Sequence, residues 1–188
     1  MPRTGGLSLV ELLVAVAVAA TLTGLAVPPF RDFVERHRSV AAINTLVGAV
    51  QLARQSAVML RTQVIVCPRR PEGGCGSHDD WPNGALVFAD RDRNAGFGSA
   101  DDLLRASPPW PEGSHVRWRS FRNRPYLTFT PTGLTAWQNG HFLYCPPDGD
   151  ARFARLIVLN PQGRLRQAAD RDGDGVVEDA QGRPVTCG

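Results

Sequence analysis

Gly6-Leu7-Ser8-Leu9-Val10-Glu11-Leu12-Leu13-Val14-Ala15-Val16-Ala17-Val18 stands near the start of this chain of 188 residues, and its reading decides the fold. From Leu12 to Phe30 there are 19 residues without a charge. As a helix they just suffice to cross the hydrocarbon core of a bilayer, which takes about 20 residues. Arg3, the apolar run and Ala17-Val18-Ala19 would together suit a cleaved secretory signal, but Glu11 interrupts that pattern. A carboxylate at the start of a membrane segment costs about 2–3 kcal/mol. Glu11 therefore needs a partner or a function.

Beyond this segment, Pro28-Pro29 remove two amide donors and predict a kink or break in the helix. Phe33, Val40, Ile43, Val47, Val50, Ala53, Ala57 and Leu60 then recur mostly three or four apart, an amphipathic stripe suited to packing on a sheet. After Leu60 the period changes. Residues 62–67, 85–90, 115–119, 126–130, 141–145 and 154–160 read as strands separated by Pro, Gly and Asn signals. Helix first and strands after predicts an α+β fold, a long N-terminal transmembrane helix packed on an antiparallel β-sheet globular domain.

Composition agrees with one globular domain plus one accessory element: 43% hydrophobic, 21% charged, and a formal charge of +3 in which every cation is Arg. The charge is segregated. Residues 72–112 hold eight acids to three arginines, whereas residues 117–166 hold eight arginines to two acids. The second stretch is cationic enough to attract a polyanion. The four cysteines, Cys67, Cys75, Cys145 and Cys187, form no C-x-x-C pair and have no His at zinc-ligand spacing. On the polar side of an apolar N-terminal segment they point to disulfides in an oxidising compartment. Of three pairings, the expected one joins Cys67 to Cys75 across a Pro/Gly-rich loop and Cys145 to Cys187, pinning the C-terminus.

Gly6 followed by Leu7-Ser8-Leu9-Val10-Glu11-Leu12-Leu13 closely resembles the class III signal of type IV pilins and type II secretion pseudopilins. The resemblance implies that a prepilin peptidase cuts between Gly6 and Leu7 and methylates the new N-terminus. Residues 1–6 would be the leader, 7–30 the membrane and filament-assembly helix, and 31–188 a periplasmic globular domain on a single inner-membrane pass. It also makes Glu11, the fifth mature residue, an assembly determinant. In a fibre of pilins its carboxylate can pair with a neighbouring subunit's N-terminal ammonium, so two charges unwelcome in hydrocarbon neutralise each other. Leu7 stands where the family usually has Phe. Within the superfamily, the Cys67-Pro68 strand end, the Asp80–Asp90 block, the Phe129-Thr-Pro-Thr-Gly133 turn and the hairpin from Leu159 to Arg166 resemble the GspH/FimT group of minor pilins and pseudopilins.

In that hairpin, Asn160-Pro161-Gln162-Gly163 predicts a turn, and Arg164 and Arg166 follow two apart on a strand. Their side chains should leave one face about 6.5–7 Å apart, close to the spacing of successive phosphates along a DNA strand. Guanidinium forks bind phosphate with two hydrogen bonds. FimT-like minor pilins of naturally transformable bacteria carry Gly-Arg-x-Arg in this position, and the resemblance implies DNA contact for Gly163, Arg164 and Arg166. Arg152, Arg155, Arg117, Arg119, Arg122 and Arg124 are candidate helpers. Trp118 and Phe121, lying among them, read as core more than as base-stacking residues. No base-reading helix is present, so binding should be sequence-independent, weak per subunit and steeply salt-sensitive.

Asp170-Arg-Asp172-Gly-Asp174-Gly175 matches the start of a calcium loop, with Glu178 nearby, but its twelfth position is Gln181 and it reads first as an acidic turn. Asp90-Arg-Asp92-Arg-Asn94 with Asp101 and Asp102 reads as a plain loop. His37, His78, His115 and His141 show no nucleophile and orienting acid beside them, and no Gly-rich phosphate cradle precedes a helix. The expectation is a non-enzymatic chain with no cofactor and no small-molecule substrate. Its expected partners are other pilins, prepilin peptidase, the inner membrane and DNA. The alternative is a structural, tip-initiating minor pilin or type II secretion pseudopilin whose globular face holds proteins.

Overall fold

The computed structural model describes residues 8–187, leaving aside the side chains of residues 25–29. Gly6 and Leu7, the expected cleavage point, lie outside the described residues. Two compact units divide the chain, residues 1–37 and 38–188.

Helix α1 spans Leu9–Leu60. Ser8 caps its start by accepting the Glu11 N–H at 3.2 Å, and the Ser-x-x-Glu spacing is that of a capping box. The carboxylate also sits in the first turn, where the helix dipole favours an anion. Pro28-Pro29 do not end the element: each proline forfeits one backbone bond, and the turns on either side continue it. In the first unit, Leu9, Val10, Leu12, Leu13, Val14, Val16, Val18 and Leu22 are all at least half exposed. Among the described residues no helix is long and apolar enough to cross a membrane. The expected span, 7–30, takes in Leu7 and the side chains of 25–29, which are outside the description.

In the second unit, α1 buries Ser39, Ala42, Ile43, Leu46, Ala49, Val50, Ala53 and Ala57. These fall mostly three or four apart, and they include Ile43, Val50, Ala53 and Ala57 of the expected stripe, with Val47 packed against them; the edges of the stripe differ. Val40 and Leu60 are 38% and 41% exposed, and Leu46 and Ala49 take their place in the core.

Eight strands follow: β1 Gln63–Pro68, β2 Ala85–Asp90, β3 Asp102–Ala106, β4 His115–Ser120, β5 Leu127–Phe129, β6 Gly140–Cys145, β7 Arg155–Leu159 and β8 Leu165–Gln167. They form two four-stranded antiparallel sheets rather than the single sheet expected, in the orders β3-β2-β1-β5 and β4-β6-β7-β8. Pro131, with no N–H to add to a ladder, follows β5 closely, and only the Phe129–Thr135 bridge carries pairing past it. β3 was not anticipated. Asp-Leu-Leu-Arg-Ala lacks β-branched residues and is mostly exposed, so only its pairing with β2 makes it a strand.

Strand alternation sorts the side chains into three layers. Val64, Val66, Val87, Leu127, Phe129, Phe142, Tyr144, Ile157 and Leu159 join the helix residues in the main core. Trp118 stacks on Phe142 at 4.2 Å, so it is a core residue, not a stacking platform. On the other side of the first sheet, Ile65, Cys67, Leu86 and Phe88 are covered by Phe97 and Tyr126. On the other side of the second, Cys145 and Leu156 are covered by Val177 and Val185 of the C-terminal segment. The cysteines pair as expected: Cys67–Cys75 closes the short loop, and Cys145–Cys187 ties the C-terminal segment to β6.

Candidate nucleic-acid interface

The turn before β8 is built on Gly163. Its φ of +73° suits glycine, and it donates its N–H to Asn160 O at 2.9 Å, while Asn160 Oδ1 accepts the Arg164 N–H at 2.9 Å. A Cβ here would lie 2.9 Å from Phe129 Cε1 and 3.0 Å from the Gly133 carbonyl oxygen. Arg54 of α1 fastens the turn from beneath, donating from Nε to Gly133 O at 3.0 Å and from Nη1 to Gly163 O at 3.4 Å. The glycine of the motif thus seats the turn on the core. Nothing in the sequence near Arg54 marks it for this task.

β8 is the edge of its sheet and pairs with β7 alone. Leu165 lies opposite Leu159 and packs against the main core. Alternation therefore turns Arg166 to the outer face, whereas Arg164 immediately precedes β8 and lines a groove against α1 with Val58 and Met59; both arginines are exposed, as expected. No salt bridge holds either of them among the described residues. On that face the register runs Arg166, Val158, His141, Arg119 across β8, β7, β6 and β4. Three strand steps place Arg119 about 14 Å from Arg166. Between the sheet and the C-terminal segment this face forms a cavity of about 520 Å³ lined by Arg117, Arg119, His141, Asp179 and Arg183 among others. Arg117 donates to Thr186 O at 3.3 Å. Asp179 meets Arg183 at 3.0 Å, and the Arg183 backbone N–H and guanidinium hold its carboxyl below the usual range. Burial, and then the Arg119 charge, push His141 below its ordinary value, so the neutral ring is favoured.

The other expected helpers divide. Arg152 is drawn to Asp150 at 2.6 Å and lies over the Phe153 ring, and its hydrogen bond lowers the Asp150 pKa. Arg155 is a correction: it is buried in β7, with Nη1 donating to Ala154 O at 2.8 Å, and does not belong to the cationic surface. Arg122 and Arg124 are exposed beside Phe121 and Tyr126. Phe121, expected in the core, is 59% exposed. Trp137, which sequence reasoning missed, is 85% exposed at a positive φ of 59°. Thr135 donates from its N–H to Pro161 O at 3.1 Å and so ties this loop to the turn before Arg164. An exposed Trp and a core Trp look alike in a sequence.

Asp170, Asp172 and Asp174 do come together, but all are exposed and their oxygens accept the N–H groups of Gly173, Asp174, Gly175 and Val176. Glu178 does not join them: it is buried and accepts the Arg171 N–H at 3.0 Å.

Comparison with known proteins follows the same lines. A family model described as type II transport protein GspH matches residues 42–163. A crystal structure of the type IV minor pilin FimU of Pseudomonas aeruginosa superposes with a TM-score of 0.54 at 20% identity, covering 82% of this chain and 98% of that one. A second crystal form of FimU gives a TM-score of 0.51 at 19% identity, covering 78% and 98%. No curated protein matches the sequence. At these identities the likeness to FimU is one of fold.

Proposed function

The chain belongs to the GspH family, and from that premise we propose that it is a minor pilin of a type IV pilus that binds DNA without sequence preference, supporting DNA uptake in natural transformation. The observation that carries the reading is the pair Arg164 and Arg166: exposed, one just before an edge strand and one on it, and held by no acid among the described residues. Arg119 and Arg117, on the same face as Arg166, extend the cationic row away from the edge. Contacts of this kind are made to phosphates and carry no base information. Each is weak, and repetition along a fibre multiplies them by avidity.

The rest of the reading concerns assembly. The exposed apolar side chains between Leu9 and Leu22 need lipid or other pilin helices around them. The proposal includes cleavage between Gly6 and Leu7 by prepilin peptidase, methylation of the new N-terminus, a single inner-membrane pass with a periplasmic domain, and pairing of Glu11 with a neighbour's ammonium. Catalysis forms no part of it. One observation favours the structural alternative, a tip-initiating minor pilin or secretion pseudopilin that holds proteins. Beside the turn, α1 and β8 enclose a largely apolar groove of about 760 Å³ lined by Val50, Val58, Met59 and Leu165, with Met59 81% exposed.

The full-length chain in detergent micelles should bind a random-sequence duplex at low salt in fluorescence anisotropy. Arg164→Gln with Arg166→Gln should weaken binding and reduce the slope of log K against log salt by about 2, about one per lost phosphate contact. Equal binding by wild type and double variant, or binding by neither, establishes the structural reading instead.

A further inference from the structure

We propose that the β2–β3 loop, residues 90–101, is a calcium site. The loop carries Asp90, Asp92, Asn94 and Asp101 at its first, third, fifth and twelfth positions. Those are ligand positions of a twelve-residue calcium loop, in which the seventh residue, here Gly96, offers its backbone carbonyl. The carboxylates of Asp90, Asp92 and Asp101 each place an oxygen within 4.8 Å of the others. Oxygens bound to one calcium at 2.3–2.6 Å lie up to about 5 Å apart, so a single ion can reach all three. The sixth position of such a loop makes a sharp turn and is ordinarily glycine. Here Ala95 makes it with a positive φ of 62°, donating its N–H to Asp90 Oδ2 at 3.2 Å.

An acidic cluster by itself would be only a solvated loop, but Asp90 is different. It is 1% exposed, and its Oδ1 is buried with no hydrogen-bond partner among the described residues. A buried carboxylate oxygen without a donor is costly, and a cation among the three carboxylates is the partner that removes the cost. The donors are all oxygen, with no His or Cys, which selects a hard cation; an irregular loop suits calcium better than the strict octahedron of magnesium. Of the two arginines in the loop, Arg91 and Arg93, Arg91 is paired with Asp102 at 2.6 Å, outside the cluster. The site would close the mouth of the hairpin, since Asp90 ends β2 and Asp101 directly precedes β3. β3 is an edge strand held by β2 alone, so the ion would fasten the edge of the first sheet.

The test uses the full-length chain in detergent micelles, stripped by chelator and titrated with calcium chloride, with magnesium chloride at matched ionic strength as the control. Calorimetry should show one saturable site with a Kd of about 0.1–1 mM, the range of extracellular calcium modules. A tenfold excess over Kd should raise the Tm by about 3–6 °C. Asp92→Asn and Asp101→Asn should each weaken binding at least tenfold, while Asp170→Asn with Asp172→Asn leaves it unchanged. Asp90→Asn should abolish the response; should that variant fail to fold, the exposed Asp92→Asn decides alone. Absence of saturable binding, binding that survives Asp92→Asn and Asp101→Asn, or binding lost only with the Asp170 and Asp172 changes overturns the proposal.

Discussion

Replacing Gly163 by alanine separates the two jobs of the Gly163-Arg164-Leu165-Arg166 segment. The residue holds φ at +73°, where a Cβ costs about 1–2 kcal/mol. The new methyl would also stand 2.9 Å from Phe129 Cε1, 3.0 Å from Gly133 O and 3.3 Å from Arg54 Nε. Phe129 is fully buried and Gly133 O is backbone, so neither yields cheaply, and overpacking of this kind costs about 1–3 kcal/mol. The sum is about 3 kcal/mol. In a chain of this size that lowers the Tm by about 6–12 °C, read by circular dichroism on the full-length protein in detergent. The guanidinium groups of Arg164 and Arg166 are untouched, so the salt slope of DNA binding, measured well below the Tm, should stay that of wild type. A Tm within 2 °C of wild type would refute the steric argument. A slope reduced as far as in the double Arg variant would show that the turn, rather than the arginines, carries the contact.

Two further outcomes follow from the disulfides and from His141. Cys145–Cys187 spans 42 residues and Cys67–Cys75 spans 8, so chain-entropy reasoning assigns them about 4 and about 2.5 kcal/mol. Paired Ser substitutions at Cys145 and Cys187 should therefore lower the Tm more than those at Cys67 and Cys75 and open the C-terminal segment to protease; the reverse order would contradict the account. For His141, the folded pKa lies below the ordinary 6.5. Its contribution to stability is complete above about pH 6.5 and is lost as the pH falls toward the folded pKa, where the unfolded chain binds the extra proton. Urea denaturation between pH 5 and 8 should show this slope, and His141→Asn should flatten it. An unchanged slope would mean that the ring, despite its place between Arg119 and Asp179, titrates alike in both states.

Much of the fold was legible because burial follows period. β4, with His115, Arg117 and Arg119 out and Val116 and Trp118 in, announces itself by alternation. β1 and β2 are apolar on both faces and read as continuous runs. β3 was illegible because nothing in its residues prefers a strand; it is made by its partner. The division into two sheets was also hidden, since β4 and β5 follow one another in the chain yet join different sheets. On α1 the stripe was seen, with Ile43, Val50, Ala53 and Ala57 in the core, but not its edges: Ala49 is fully buried while the larger Val40 is exposed, and size misleads a reader who counts only bulky side chains.

The candidate site divides in the same way. Spacing put Arg166 on the outer face of β8, because alternation along a strand is local, but Arg164 stands one residue before the strand and borders the groove beside α1. Arg155 looked equivalent, yet its side chain is buried and its Nη1 returns to the backbone at Ala154, a fate set by neighbours distant in sequence. The acidic loops reverse the order of promise. Residues 170–175 match the calcium pattern better up to the sixth position, and in both loops backbone N–H groups reach the carboxylates, but those of Asp170, Asp172 and Asp174 are all exposed. Residues 90–101 match less well by letter, with Ala at the sixth position and Asp at the twelfth, yet they alone set an unpartnered buried oxygen beside the cluster. A pattern of letters fixes which ligands are available, whereas burial fixes whether they need an ion. On that ground the β2–β3 loop, and not the C-terminal turn, is where a cation would change the stability of this chain.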